Sequence, residues 1–197
     1  MSPAVRDAVA TKARILEAAF GEFTKSGFAG ARVDHIASKA KVNKALLYHY
    51  FADKEQLFRF VLEAKMAELS KITIDPANCA ESVGKFFDFY AANRWMARLL
   101  MWEALDLGTK PVPDEDERCA RYTERVETLM EAQRLGYIDG SLDIRQTFFT
   151  LVGLVHFWFA APQTARMIIG GDPYTPQALK KRRAHVVAIA RRILEAR

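Results

Sequence analysis

The sequence predicts an all-α protein, a small three-helix head followed by a larger helical body. Three observations carry this. Apolar residues recur at three- and four-residue intervals along nearly the whole chain. Glycine and proline are sparse, 10 and 7 among 197 residues, and no useful length of strand-like alternation or internal repeat interrupts the pattern. Half of the residues are hydrophobic, enough to build a sizeable core.

The elements follow in order. Ile15, Leu16, Ala19, Phe20 and Phe23 define a first amphipathic helix. It should stop at Ser26-Gly27, where glycine can take the left-handed capping conformation. Val33, Ile36, Ala37 and Ala40 mark a short second helix. The tripeptide 41–43 makes a turn, and Lys44 to Tyr50 form a third helix with Asn43 as its cap. Asp53 and Gln56 are spaced as a capping box for a fourth, whose face is Leu57, Phe58, Val61, Leu62 and Met66. Ile72 to Pro76 breaks it, so the head is placed at residues 9–69 and the body at 76–197. Body helices are expected over about 80–92, 95–107, 114–135 and 143–161. A last helix runs from Thr175-Pro176 to the end of the sequence. The loop 110–113 separates the second and third of these, and Pro162 is read as a stop.

Charge and cysteine content exclude several classes. The net charge of +5 suits a polyanionic partner, and Lys25, Arg32, Lys39, Lys41, Lys44 and Lys54 concentrate it in the head against Asp34 and Asp53. Cys79 and Cys119 are too few and too distant for a disulfide scaffold or a cysteine zinc site. The N-terminus lacks a signal-peptide core. The longest apolar stretch, 148–161, is shorter than the roughly 20 residues that span a bilayer. A cytoplasmic protein without membrane partners is expected.

Two short helices about a tight turn fit the helix-turn-helix plan over about residues 32–51, the second helix lying in the major groove of DNA. Ala37 and Ala40 supply the small residues where the helices meet, and Val42 points inward. The outward face offers Lys44, Ala45, Tyr48 and His49, with Leu47 and Phe51 turned to the core. Lys44 can reach a guanine acceptor or a phosphate, and Ala45 a thymine methyl. Tyr48, Tyr50 and His49 can donate to phosphate oxygens. Lys54 stands in the first turn of the fourth helix, where free amides and the helix dipole already favour an anion.

With these pieces in place, residues 9–69 resemble the DNA-binding head of the TetR (tetracycline repressor) family. The resemblance rests on residues 14–19, then Phe23, Gly27-Phe28, Val33 and Ile36-Ala37. It continues through Val42, Lys44, the run Leu47-Tyr48-His49-Tyr50-Phe51, and Lys54-Glu55 with Leu57. It implies a homodimer on a palindromic double-stranded operator, repression relieved by a ligand, and DNA contacts from positions 44–50 and Lys54. Four positions depart from the family. Lys41 replaces a usual glycine, so either the turn shifts or Lys41 serves a phosphate. Ala31 and Arg32 stand where a small hydroxyl residue is usual, removing a cap worth about 1 kcal/mol, with Arg32 a substitute phosphate contact. Leu46 replaces a common threonine, leaving an apolar contact.

In the body, the helix over 143–161 is apolar nearly all round and the last helix carries an apolar stripe. One body cannot easily bury both, which predicts a four-helix dimer seam made of Phe148, Val152, Val155, Phe159, Val186, Ala190 and Ile193, with the last helix's arginines as a solvated rim. An apolar ligand pocket is expected from Phe86, Tyr90, Trp95, Met96, Trp102, Phe149 and His156. No paired carboxylates, catalytic triad, metal-spaced histidines or phosphate loop occurs, so neither enzyme activity, metal nor cofactor is expected. The expected function is a DNA-binding regulator, a repressor released by an apolar small molecule. The alternatives are a regulator whose body serves only dimerisation or protein contacts, and, last, an enzyme or carrier using the cavity.

Overall fold

The helical periodicity is realised nearly element for element. The computed structural model describes residues 3–112 and 114–195. Pro113 of the expected loop and the last two residues of the expected final helix lie outside the described residues. Among these residues there are ten α-helices: α1 (Pro3–Gly30), α2 (Val33–Ala40), α3 (Lys44–Tyr50), α4 (Lys54–Ser70), α5 (Cys79–Ala92), α6 (Trp95–Leu107), α7 (Glu115–Arg134), α8 (Ile144–Ala160), α9 (Pro162–Ile169) and α10 (Pro176–Leu194), with a 3-10 turn at Pro76–Asn78. The all-helical class holds. Among the described residues no single helix is long and apolar enough to cross a membrane; α8 and α9 qualify only as a pair bent by 86°.

The chain divides into two compact units, Met1–Ala67 with Leu99–Asp114, and Glu68–Arg98 with Glu115–Arg197. The sequence division at 69–76 assigned all of 99–114 to the body. Packing explains the difference. Leu99 is fully buried, the Trp102 ring stands where a side chain on Gly27 would be, and Arg59 pairs with Asp114.

In the first unit, Ile15, Ala19 and Phe23 of α1 meet Ile36 and Ala37 of α2, Leu47 of α3, and Leu57, Val61 and Leu62 of α4, all within the core. Phe58 lies edge-on to Phe23 at 5.0 Å between ring centres. Helical geometry in α1 breaks at Gly27, whose φ is positive (70°) as expected, but whose ψ of 179° is extended rather than left-handed helical.

In the second unit, α10 packs chiefly on α5, through Val186, Val187 and Ala190 against Val83 and Phe87. Close approach requires Gly84: an added Cβ would stand 2.8 Å from Val187 Cγ2. Arg183 clamps the pair, its Nε donating to Asp88 Oδ2 at 2.8 Å and its Nη2 pairing with Glu81. Arg182 donates to the Leu154 carbonyl at 3.0 Å. These two arginines are therefore not the solvated rim expected of them. On α8, Leu151, Val155, Trp158 and Phe159 are buried.

The dimer seam read from the sequence is corrected accordingly. Val155, Phe159, Val186 and Ala190 belong to the chain's own core, with exposures of 3% or less. Phe148 and Ile193 are half-buried, and of the expected seam residues only Val152 is exposed. The apolar surface that α8 leaves uncovered is Phe149, Val152 and Phe157, joined by Met167 and Ile168 of α9. Helix α9 itself was not expected. Pro162, read as a stop, opens a new helix, because its missing N–H and fixed φ suit a first helical position.

Candidate nucleic-acid interface

Seven residues are too few for a free-standing helix, which needs about 12–15 to be even marginal in water. Tertiary anchors hold α3 instead. Leu47 and Phe51 are both fully buried, each contributing about 1.5–3 kcal/mol. At the entrance to the helix, the Asn43 side chain accepts from the Leu46 amide at 2.7 Å. The preceding turn keeps its left-handed shape despite the lysine: Lys41 sits at φ 55°, ψ 45°, and the Val42 amide donates to the Ala37 carbonyl at 3.0 Å. Lys41 is exposed, so its departure from glycine leaves the turn in place and adds a positive charge beside it.

With two anchors fixed inward, helical periodicity leaves Lys44, Ala45, Tyr48 and His49 exposed together, with Leu46 beside them at 37% exposure. Tyr50 is half-buried, its ring tilted against Phe51. Arg32 is exposed ahead of α2 and makes no side-chain cap. Lys54 is half-buried and its ammonium is engaged, donating to the Ala29 carbonyl at 3.2 Å with the Phe28 ring 4.9 Å away. At the start of α4, Asp53 accepts from the Gln56 amide at 2.7 Å, and Gln56 reaches back to the Ala52 amide at 3.0 Å, one residue before the expected reciprocal bond.

Two acidic residues organise this surface, and neither was singled out from the sequence. Asp34 of α2 holds the Lys44 ammonium at 2.6 Å, both side chains more than half exposed. The shared hydrogen bond keeps the Lys44 ammonium above its ordinary pKa and the Asp34 carboxyl below its own. Glu22 of α1 is 5% exposed, and its carboxylate accepts from the Arg32 amide at 3.4 Å, with His35 at 3.4 Å and Lys39 at 3.7 Å. Burial alone would raise the Glu22 carboxyl, but the Arg32 amide, His35 and Lys39 outweigh it and hold it below the usual glutamate value. Glu22 thus takes the Arg32 amide just ahead of α2, where Arg32 supplies no capping side chain. A signal existed: Glu22 lies on the stripe Ile15, Ala19, Phe23, a charge on the buried face of α1.

The residues assembled as a ligand pocket are only partly brought together. Tyr90 is buried, stacks on Phe159 at 5.7 Å and meets His156 edge-on at 5.6 Å. Burial pushes the Tyr90 hydroxyl pKa up and the His156 imidazole pKa down. Phe86 is half-buried beneath the Arg125 guanidinium at 4.9 Å, Trp95 is half-buried, and Met96 is fully buried. One assignment fails: Phe149 is 77% exposed on the outer side of α8. Trp102 lies in the first unit, its ring against Gly27. An almost wholly apolar helix gives no sequence cue to which side faces in.

Comparison with known proteins adds to this geometry. Residues 15–61 match the model described as bacterial regulatory proteins, tetR family, and residues 78–192 match the tetracyclin repressor-like C-terminal domain. The chain is 37% identical to the HTH-type transcriptional repressor SCO4008 of Streptomyces coelicolor, across 98% of this chain and 99% of that protein. It is 29% identical to the HTH-type transcriptional repressor NicS of Pseudomonas putida, over 85% and 84% of the two chains. Among solved structures, the S. coelicolor transcriptional regulator SCO4942 superposes with a TM-score of 0.81 at 30% identity, covering 93% of this chain and 98% of that one.

Proposed function

Because this chain belongs to the TetR family of helix-turn-helix transcriptional repressors, and so to a class of DNA-binding regulators rather than enzymes, we propose that it binds a palindromic operator as a homodimer and leaves it on binding an apolar small molecule. Residues 9–69 act as the DNA-binding head, with α3 entering the major groove. Lys44, Ala45, Leu46 and Tyr48 face the base edges. His49, Tyr50 and Arg32 serve phosphates. Lys54 braces the last turn of α1 and reaches phosphate only by exchanging the Ala29 carbonyl for it.

One observation carries this reading: burial of Leu47 and Phe51 leaves Lys44, Tyr48 and His49 exposed on one side of α3. Dimerisation is assigned to the outward side of α8, Phe149, Val152 and Phe157, which one chain leaves uncovered. The effector region is reduced to the aromatic set around Tyr90, His156 and Phe86. Release follows only if the effector prefers the DNA-free state; a hundredfold loss of operator affinity needs about 3 kcal/mol of preference.

The test is selection of bound duplexes from a random pool, repeated with Tyr48→Ala and Lys44→Ala. An enriched palindrome lost in both variants is the expected result. A palindrome enriched equally by both variants would remove α3 as the reader.

A further inference from the structure

We propose that Arg125 of α7 is a positioning residue for operator binding: it caps the end of α4 from a distant helix and so sets the direction in which α4 leaves the second unit. The inference rests on the operator reading above. Helix α4 passes from one unit to the other between Ala67 and Glu68, and its start at Lys54 follows closely on α3. Its 17 residues make a rod of about 25 Å. Each degree of tilt at one end therefore moves the other by about 0.4 Å, against half-sites roughly 34–36 Å apart.

The end of α4 is poorly served by its own sequence. The last carbonyls of a helix have no amide ahead of them from which to accept. No glycine follows α4, and its last turn carries no basic residue to face the helix dipole. Two tight bonds close the turn, from the Lys71 amide to the Glu68 carbonyl at 3.4 Å and from the Ile72 amide to the Leu69 carbonyl at 3.2 Å. Arg125 Nη2 donates to that same Leu69 carbonyl at 3.0 Å, across 56 residues of sequence. It brings the positive charge that the last turn lacks.

Arg125 is committed to this contact. Its guanidinium lies 4.9 Å from the Phe86 ring of α5, and among the described residues no carboxylate pairs with it. Arg121 and Arg134, by contrast, pair with Glu117 and Glu131 within α7 itself. Arg125 instead reaches off the helix, is half-buried, and has its pKa drawn down by that burial. A cation that has given up water to meet one carbonyl does not leave it without cost. Leu69, Phe86 and Arg125 all belong to the second unit, and Phe86 is one of the proposed effector set. Arg125 thus touches the effector region and the end of α4 at once.

The test compares full-length wild type with Arg125→Met, which keeps an apolar stem for Phe86 but loses the donor and the charge. Hydrogen exchange at the Lys71 and Ile72 amides should quicken by about tenfold, the effect of a missing charge-assisted hydrogen bond. Binding is then measured to the selected palindrome and to forms with one base pair added or removed between its half-sites. The preference for the selected spacing should fall by about tenfold in Arg125→Met, while affinity for random duplex stays at the wild-type value. Should Arg125→Met not fold, Arg125→Lys carries the same comparison with a loss of about threefold. Unchanged exchange at the two amides overturns the proposal, as does a fall in random-duplex binding that matches the fall on the palindrome. No palindrome enriched by the wild type fails the operator reading and this inference with it. A palindrome bound with the same spacing preference by both proteins fails this inference alone.

Discussion

Single side chains set the terms on which the head meets DNA. Lys44, the best-placed cation on α3, is bound to Asp34 in the free protein, so a phosphate must compete with a carboxylate for it. Asp34→Asn should therefore tighten binding to random duplex and steepen the salt dependence by about 0.9, the slope of one further phosphate contact. The gain should vanish in a Lys44→Gln background; persistence there would mean a general charge effect. Glu22 carries the second prediction. Its folded pKa lies below its ordinary value, so its stabilisation is complete above the ordinary glutamate pKa and fades as pH falls through the lowered one. Glu22→Gln should cost roughly 1–2 kcal/mol near neutrality and flatten that acid limb of a melting-temperature profile. An acid limb identical to wild type would exclude Glu22 as its source. The sequence showed the surface chemistry at Lys44, Tyr48 and His49 because periodicity alone turns them outward. Pairings such as Lys44 with Asp34 escaped it, since residues on two helices become neighbours only once the turn angle is fixed.

Among the helices, the legible features were those written in local chemistry. Asn43, Asp53, Asp143 and Thr175 all accept amide hydrogen bonds at the helix starts they were expected to mark or adjoin. Asn43→Ala should cost about 1 kcal/mol, read in chemical denaturation, and should weaken operator binding in step because α3 has no length to spare. A loss of stability without any loss of binding would separate the cap from the reading surface. Gly27 is less forgiving. Its positive φ and the Trp102 ring, 2.5 Å from an added Cβ, predict that Gly27→Ala destabilises the first unit by more than the 1–2 kcal/mol of backbone strain alone. A thermal melt matching wild type would refute this. Elements that failed to announce themselves did so for physical reasons. Pro162 is equally suited to ending one helix and starting another, and the inner and outer sides of α8 share one chemistry.

At the level of the whole molecule, the all-helical class followed from composition and spacing, but the grouping of residues 99–114 with the first unit did not. Contiguity along the chain suggested a head, then a body; packing instead returns Leu99–Asp114 to the first unit. The dimer seam was misread by the same token: hydrophobicity marked α8 and α10, whereas burial shows that the α10 stripe is spent on α5. Of the expected seam residues Val152 alone stays exposed, and beside it on α8 stand two that the seam did not include, Phe149 and Phe157, 77% and 61% exposed. Phe149→Asp with Phe157→Asp should halve the mass in sedimentation equilibrium while leaving the helical signal intact, and an unchanged mass would remove α8 from the subunit contact.

The clamp of Arg183 on Asp88 joins residues 95 apart in sequence, and this bears on how the protein is made. During synthesis α5 emerges with its binding partner still untranslated, for roughly 5–20 s at ordinary rates of elongation. Through that interval the bare backbone at Gly84 lacks Val187, on which it closes, and Phe87 meets only Phe159 once α8 has emerged. The second unit thus closes only once α10 has been translated, and a nascent chain stalled before α10 would present part of its core to chaperones and proteases.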